Sequence, residues 1–156
     1  MTDMLVKLYE LPSLDEALAA MRAQGLVIRR SLVPEKPLVL AWMAQQFPAW
    51  QAEVDVAHAR LPVSCFLALR EAEIIGFACH DVMARNLFGP TGVLASERQR
   101  GIGRALLLAA LHAQHAMGYA YAIIGGVGPE AFYRKAVGAV PIAGSAPGPY
   151  AGMLRR

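Results

Sequence analysis

The sequence has few of the features that mark membrane, secreted and metal-binding proteins. It contains 2 cysteines among 156 residues. Cys65 and Cys79 lie in apolar, strand-like runs without a zinc-ligand spacing, so we expect reduced, buried thiols and no metal. The unbroken apolar runs, such as residues 105–111, are far too short to cross a bilayer. The first residues include Asp3 and lack the apolar core of a signal peptide. These absences predict a cytoplasmic protein with no membrane partner.

Charge is also scarce, and its two signs nearly balance. Charged residues make up 17% of the chain and hydrophobic residues 56%, which is typical of a compact globular protein. The 15 basic and 12 acidic residues leave a formal charge of +3. This mild bias suits an anionic ligand or weak nucleic-acid binding and decides neither. We expect one domain, residues 1–156, with an N-terminal strand–helix extension over residues 1–25.

Apolar patterns and turn residues predict a mixed sheet covered by helices. Ser13 and Glu16 have the capping-box spacing and predict a helix that stops near Gly25. The runs "VSCFLALR" and "IIGFACHD" predict a hairpin, and a helix is expected from Gly103 to about Met117. We expect a loop at "RNLFGPTG", strands at "TGVLAS" and "YAYAII", and short strands in "AVPIAG" and "YAGMLRR". The predicted fold is an α/β (α+β) domain with a largely antiparallel sheet.

The stretch "ASERQRGIGRALLLAAL" places three arginines where a helix begins. Cations are unfavourable there because the first turn already carries a partial positive charge. Gly101 and Gly103 allow the backbone to approach a ligand closely with its N–H groups exposed. Arg98, Arg100 and Arg104 therefore indicate a polyanionic ligand at the helix start. The alternatives are arginines that only face solvent, or a nucleic-acid site. The lack of a wider basic face argues against the nucleic-acid site.

The two common nucleotide-binding loops do not fit this stretch. The P-loop needs a lysine that is absent, and the dinucleotide pattern needs a third glycine where the chain has Leu106. What remains is the pattern R-x-x-G-x-G after the predicted strand "GVLA".

The segment "VLASERQRGIGRALL" resembles the acyl-CoA signature of the GNAT acetyltransferase superfamily, and "PEAFYRKAVGA" resembles that family's second signature. The resemblance implies a GNAT-like sheet in which a splayed strand pair holds acyl-CoA, with acetyl-CoA as the co-substrate. Backbone N–H groups would hold the pyrophosphate, and the pantetheine arm would lie along the strand ending "TGVL". The implied cofactor-binding residues are Val93, Leu94, Arg98, Gln99, Arg100, Gly101, Ile102, Gly103 and Arg104. The chain departs from the family pattern at Gly126, Pro129 and Ala139, so no subfamily is indicated.

On the same resemblance, Tyr133 is the candidate general acid. A phenol has an ordinary pKa near 10, so at neutral pH it can donate a proton to a leaving thiolate. The alternative for Tyr133 is a core aromatic beside Phe132. The base is less clear: His80 or Asp81 at a strand end, or a chain of waters, could serve. The aromatic-rich segment from Trp42 to Trp50 suits either core packing or an apolar acceptor pocket.

The predicted function is N-acetyl transfer by direct attack of an amine on the thioester. The acceptor would be a small-molecule amine or a peptide N-terminus, and the choice between monomer and homodimer stays open. The alternative is a non-catalytic acyl-CoA-binding or sensing module.

Overall fold

The computed structural model describes residues 1–154. Its strands are β1 (Met4–Lys7), β2 (Val27–Arg30), β3 (Cys65–Arg70), β4 (Glu73–His80), β5 (Leu87–Val93), β6 (Tyr121–Ile124) and β7 (Val140–Pro141). Its helices are α1 (Leu14–Arg22), α2 (Lys36–Gln46), α3 (Gln51–Ala57), α4 (Ile102–Ala116) and α5 (Glu130–Val137). The strands form one sheet in the order β2-β3-β4-β5-β6-β1-β7, and β5–β6 is its parallel pair. The predicted mixed, largely antiparallel sheet with flanking helices is confirmed.

Apolar side chains form a cluster on each face of the sheet. One cluster joins the sheet to α1, α4 and α5, and the other joins it to α2 and α3. Helix α4 is the largest contributor, because its buried residues run without a break from Ala105 to Leu111. Cys65 and Cys79 face each other across β3 and β4, where both are buried and unlinked. Within residues 1–154, none of the helices combines the length and apolarity that crossing a membrane requires.

The first strand lies inside the sheet. β1 pairs with β6 on one side and with β7 on the other, and its Met4 and Val6 are completely buried. The α1 residues Ala17 and Met21 belong to the same cluster as α4. The first 25 residues thus supply an interior strand of the sheet and a core helix, with the predicted Ser13 cap accepting from the Glu16 N–H at 3.2 Å.

Strand β5 begins earlier than predicted, so the loop prediction for "RNLFGPTG" is wrong. Ala78 and His80 of β4 face Thr91 and Phe88 of β5, which gives β5 one extra residue in this stretch. The glycine–proline pair lies in this bulge, where a missing backbone N–H removes no ladder hydrogen bond. Turn-forming residues therefore indicated a loop in a segment that is a bulged strand.

The chain end forms one short strand where two were predicted. The prediction for "AVPIAG" is confirmed by β7, but residues 148–150 form a single 3-10 turn and residues 153–154 are irregular. Gly148 and Gly152 have φ values of +59° and +76°, which break an extended chain. The strand prediction is wrong for residues 150–154. Its last two residues, Arg155 and Arg156, lie outside the described part of the chain.

An ion pair holds the connection between β2 and α2. Arg29 Nη1 donates to Glu35 Oε2 at 2.9 Å, and the Leu32 N–H donates to the same oxygen at 2.7 Å. The hydrogen bond from Arg29 is the main cause that lowers the pKa of Glu35 to about 2. The ionised carboxylate therefore favours the folded state.

We expect Glu35→Gln to lower the free energy of unfolding at pH 7 by about 1 kcal/mol or less, since the pair is partly solvated. A lowered carboxylate pKa stabilises the fold above the unfolded value near 4.5, and this contribution is lost as the pH falls toward 2. Urea unfolding at a series of pH values from 7 to 2 should show that the difference in the free energy of unfolding between wild type and variant shrinks below pH 4.5. Glu73→Gln, at an exposed site, is the control; a gap independent of pH would contradict the assignment.

Candidate functional site

Strands β5 and β6 separate after two residue pairs. Leu87 pairs with Ile123 and Phe88 with Ile124, after which β6 ends and β5 continues to Val93. The other edge of β5 stays paired to β4. Among the described residues, the second half of β5 therefore has one edge with no neighbouring strand, which is the geometry that accepts an extended ligand by strand-like hydrogen bonds.

Val93 faces this open edge with its main chain. Leu94 donates its N–H to the Ile75 carbonyl at 2.9 Å and accepts from the Glu97 N–H at 2.9 Å, so its own main chain is occupied. Successive residues of a strand turn their N–H and C=O groups to opposite edges, so those of Val93 point into the gap. The Val93 carbonyl receives a long hydrogen bond of 3.4 Å from Arg98 Nε. The main chain of Leu94 is thus already paired, and its partly buried side chain packs against the α4 cluster.

The loop from residue 98 to residue 101 presents a row of free N–H groups. Within residues 1–154, none of the six backbone N–H groups from Gln99 to Arg104 donates to a protein acceptor; the first bond of α4 runs from the Ala105 N–H to the Gly101 carbonyl. Gln99 and Gly101 have φ values of +65° and +83°. Left-handed residues alternating with ordinary ones form concave N–H arrays that bind anions. The loop has the chemistry expected of a phosphate site.

Helix α1 holds this loop in place. Gln24, just after α1, donates from Nε2 to the Arg100 carbonyl at 3.0 Å. A Cβ on Gly101 would lie 3.4 Å from the Cε atom of Met21. Ile102 is anchored from the other side, since its side chain is 1% exposed in the α4 cluster. The contribution of α1 has no motif in the sequence and depends on how the helix packs.

The three arginines surround the loop with their side chains exposed. Arg98 and Arg100 precede α4, and Arg104 lies in its first turn. Arg100 Nη1 lies 3.6 Å from the carboxylate of Glu97, which also accepts a hydrogen bond from Arg70. The Arg70 hydrogen bond is the main cause that lowers the pKa of Glu97. Glu97, the acid beside the loop, is therefore ionised and already paired, which limits its repulsion of an anion.

A cavity of about 740 Å³ lies where β5 and β6 diverge. Its lining comes from both strands, the glycine-rich segment after β6, the start of α3 and residues near both ends of the chain. The lining is mainly apolar, and of its described residues only Glu53 has a charged side chain. This combination is typical of a small-molecule site.

Tyr133 reaches this cavity from α5. The residue is 8% exposed, lines the cavity and packs edge-on against Phe88 and Phe132, with ring centroids 6.4 and 5.0 Å away. Its phenol oxygen makes no hydrogen bond to any described residue. Burial raises the pKa of Tyr133, so the phenol keeps its proton at neutral pH. The ring has the predicted core contacts, and the residue also meets the cavity.

His80 and Asp81 do not line the cavity. His80 Nδ1 lies 2.6 Å from Asp81 Oδ2, to which Gln114 Nε2 of α4 donates at 3.2 Å, and the Asn86 N–H donates to Asp81 Oδ1 at 2.6 Å. Burial pushes the pKa of Asp81 upward, but these hydrogen bonds outweigh it and leave the pKa lowered. The pair ties β4 to α4 and to the start of β5, so the hypothesis of a base at either residue finds no support.

The aromatic segment serves the core and the cavity together. Met43 is completely buried, and Trp42 and Phe47 pack against the α2–α3 cluster. Trp50 is 38% exposed, stacks on Phe47 at 5.8 Å and lines the cavity. Gly92 is required beneath this packing, since a Cβ there would lie 2.8 Å from the Phe47 ring.

Two further cavity residues, Glu53 and Tyr150, carry no signal in the sequence. Glu53 lies on a short helix with an ordinary helical pattern, and Tyr150 lies in the turn-rich end of the chain. They come together only through tertiary packing, which local sequence patterns do not encode.

No family model and no curated protein matches this sequence. Solved structures do match its fold. A GCN5-related glucosamine N-acetyltransferase region of a fungal multi-domain GH3 beta-N-acetylglucosaminidase has a TM-score of 0.75 at 16% identity, over 90% of this chain and 19% of that one. A GCN5-related N-acetyltransferase from Sphaerobacter thermophilus has a TM-score of 0.68 at 18% identity, over 90% of this chain and 48% of the other.

The fold also occurs in a protein with a different functional description. The C-terminal domain of a putative lysylphosphatidylglycerol synthetase from Agrobacterium fabrum matches 80% of this chain at 13% identity, with a TM-score of 0.54 over 46% of its own length. The chain thus spans about half or less of these structures. At such identities the likeness shows the fold alone, and the activity has to be argued from the site.

Proposed function

We propose that this chain, whose fold is that of the GCN5-related N-acetyltransferases, transfers an acetyl group from acetyl-CoA to an amine acceptor. The observation that supports it best is the row of free N–H groups from Gln99 to Arg104, set beside the open edge of β5. A ligand with a diphosphate at one end and an extended amide-bearing arm suits both features. Acetyl-CoA has both parts, and when bound it supplies an acetyl group activated as a thioester.

Each part of the site has a separate binding task in this proposal. The loop N–H groups and the guanidinium groups of Arg98, Arg100 and Arg104 hold the diphosphate by charge-assisted hydrogen bonds. The main chain of Val93 binds the arm in the manner of an added strand. Ile102 and Gly103 contribute backbone N–H groups, while the buried Ile102 side chain fixes their position.

The chemistry is a direct attack of a neutral amine on the acetyl carbon. A C–N bond forms and the C–S bond breaks, giving an amide and the free thiol of coenzyme A. Tyr133 holds a proton at its phenol oxygen for the leaving sulfur, and the proton lost by the amine passes to water. Cys65 and Cys79 are completely buried and absent from the described lining of the cavity, which argues against an acyl-cysteine route.

Calorimetric titration with acetyl-CoA tests the binding half of the proposal. We expect saturable binding by the wild type, and binding weaker by on the order of 10-fold in the double variant Arg98→Ala, Arg100→Ala, because two charge-assisted phosphate contacts are lost. The difference in affinity between the wild type and the double variant should be smaller at high salt. Arg85→Ala is the matched control, since Arg85 is an exposed arginine before the other end of β5.

Release of free thiol across a panel of amines tests the catalytic half. Thiol released only when an amine is present supports transfer. Binding of acetyl-CoA with no thiol released by any amine would support instead a non-catalytic acyl-CoA-binding module. Absence of binding at millimolar acetyl-CoA would contradict both.

A further inference from the structure

The cavity has an unusual distribution of charge. Its described lining includes the apolar side chains of Trp50, Met83, Phe88 and Met153, with the single carboxylate of Glu53 among them. Tyr133 and Tyr150 add two phenols. A second carboxylate, that of Asp3, is buried behind the wall, where it accepts a hydrogen bond from the Gly126 N–H at 2.8 Å. A carboxylate in a mainly apolar lining creates a site for one positive charge, because the lower local dielectric strengthens its attraction for a cation.

Glu53 lies in the first turn of α3 and shares the cavity wall with residues of both diverging strands. These include Gly89 of the β5 bulge and Gly125 just after β6. A Cβ on Gly125 would lie 3.1 Å from the Tyr150 hydroxyl, so Tyr150 belongs to the same wall. Burial raises the pKa of Tyr150, and the negative charges of Asp3 and then of Glu53 add to this rise. Glu53 therefore lines the cavity together with the β5 bulge and the segment after β6.

The Glu53 carboxylate is available to a ligand. Within residues 1–154 it takes part in no ion pair, although the chain forms such pairs elsewhere, for example between Lys36 and Asp55 on the neighbouring helices at 2.7 Å. Trp50 lies three residues earlier, just before α3, and is 38% exposed at the same cavity. A carboxylate and an aromatic face at this spacing can hold a cation and the apolar group attached to it.

We propose that Glu53 and Trp50 select an acceptor with one positive charge next to an apolar group, such as an arylalkylamine or the N-terminus of a chain that begins with an apolar residue. This inference rests on the proposed function and names the acceptor class of the same site. Glu53 attracts the ammonium form, which loses a proton to water before attack. An acceptor with its own carboxylate meets repulsion from Glu53, and a polyamine finds a single carboxylate in the described lining for its several charges.

Thiol release should be measured with four acceptors: 2-phenylethylamine, phenylalaninamide, phenylalanine and spermidine. We expect a higher kcat/KM for the first two than for the last two. Phenylalaninamide represents a chain N-terminus, so the order of the first two distinguishes a small amine from a peptide end. A preference for spermidine or phenylalanine would overturn the inference.

Glu53→Gln should raise KM for 2-phenylethylamine about 10-fold and change kcat by less than about 3-fold, because a uniform binding interaction is lost. Glu53→Asp, which keeps the charge, should recover part of that loss. Glu73→Gln, an exposed site at the start of β4, is the control. An unchanged KM in Glu53→Gln would contradict the assignment.

A binding measurement without acetyl-CoA separates this inference from the proposed function. In a Trp42→Phe background, Trp50 is the remaining tryptophan of the two in the sequence. Its fluorescence should respond to 2-phenylethylamine in a saturable manner, and the response should weaken about 10-fold with Glu53→Gln. This response without thiol release would support the amine site and overturn the transfer reaction. Thiol release without this fluorescence response would support the transfer reaction and overturn the amine site.

Discussion

Replacing Tyr133 by Phe is expected to lower turnover about 100-fold, in the range typical of losing a general acid, while the affinity for acetyl-CoA changes less than about 2-fold. The phenol oxygen has no hydrogen bond to the described residues, and the ring packs against Phe88 and Phe132. The variant therefore keeps its core contacts and loses the proton donor alone. Stopped assays of thiol release give kcat, and calorimetry gives the affinity.

Tyr150→Phe is the matched comparison, since Tyr150 is the other tyrosine described in the cavity lining. We expect a much smaller loss of turnover from it. Because burial raises the pKa of Tyr133 above its ordinary value near 10, the wild-type rate should show no loss of this acid at any pH below about 10. Equal turnover in Tyr133→Phe and wild type would remove Tyr133 from the reaction.

Gly101→Glu is expected to weaken acetyl-CoA binding about 100-fold more than Gly101→Gln does. Gly101 has a φ of +83°, so both variants carry the same backbone strain. Both also bring a Cβ to 3.4 Å from Met21. They differ in one negative charge beside the N–H groups where the diphosphate is proposed to bind. A 100-fold difference in affinity between the two variants corresponds to about 3 kcal/mol, which is the size of the repulsion expected between a carboxylate and a neighbouring phosphate.

The pair of variants should be compared by calorimetry at low and high salt. The gap between Glu and Gln should shrink as salt screens the added charge. Thermal unfolding of both variants checks that they fold equally well. An equal affinity for acetyl-CoA in the two variants would place the diphosphate elsewhere and contradict the assignment of the loop.

Local chemistry explains which parts of the site can be predicted from the sequence. The helix expected from Gly103 to about Met117 is α4, Ile102–Ala116. Its ends are predictable because a glycine flanks the apolar run on each side, and glycines are typical of helix ends. The loop before α4 depends on the same few residues, so its free N–H groups and arginines follow from the pattern R-x-x-G-x-G. The Ser13 cap was predictable for the same reason.

Long-range packing explains which parts of the site cannot be predicted from the sequence. His80 and Asp81 have residue types suited to catalysis, yet the packing of α4 against β4 buries them in a network with Gln114. Glu53 has an unremarkable sequence context, yet its helix brings it to the cavity. The glycine–proline pair of β5 indicates a turn in the sequence, but in the structure it lies in a bulge opposite β4.

By itself, the sequence determined the start of α4 with the glycine- and arginine-containing loop before it, the tyrosine before the glycine turn and the alternation of strands and helices. These features depend on residues within a few positions of one another, where backbone geometry and capping act. Only the tertiary structure decided that β1 lies between β6 and β7, that β5 and β6 diverge after two pairs, and that Glu53 meets the cavity between them. These depend on contacts between residues far apart in the chain, whose free energy comes from burying surfaces that no local pattern specifies.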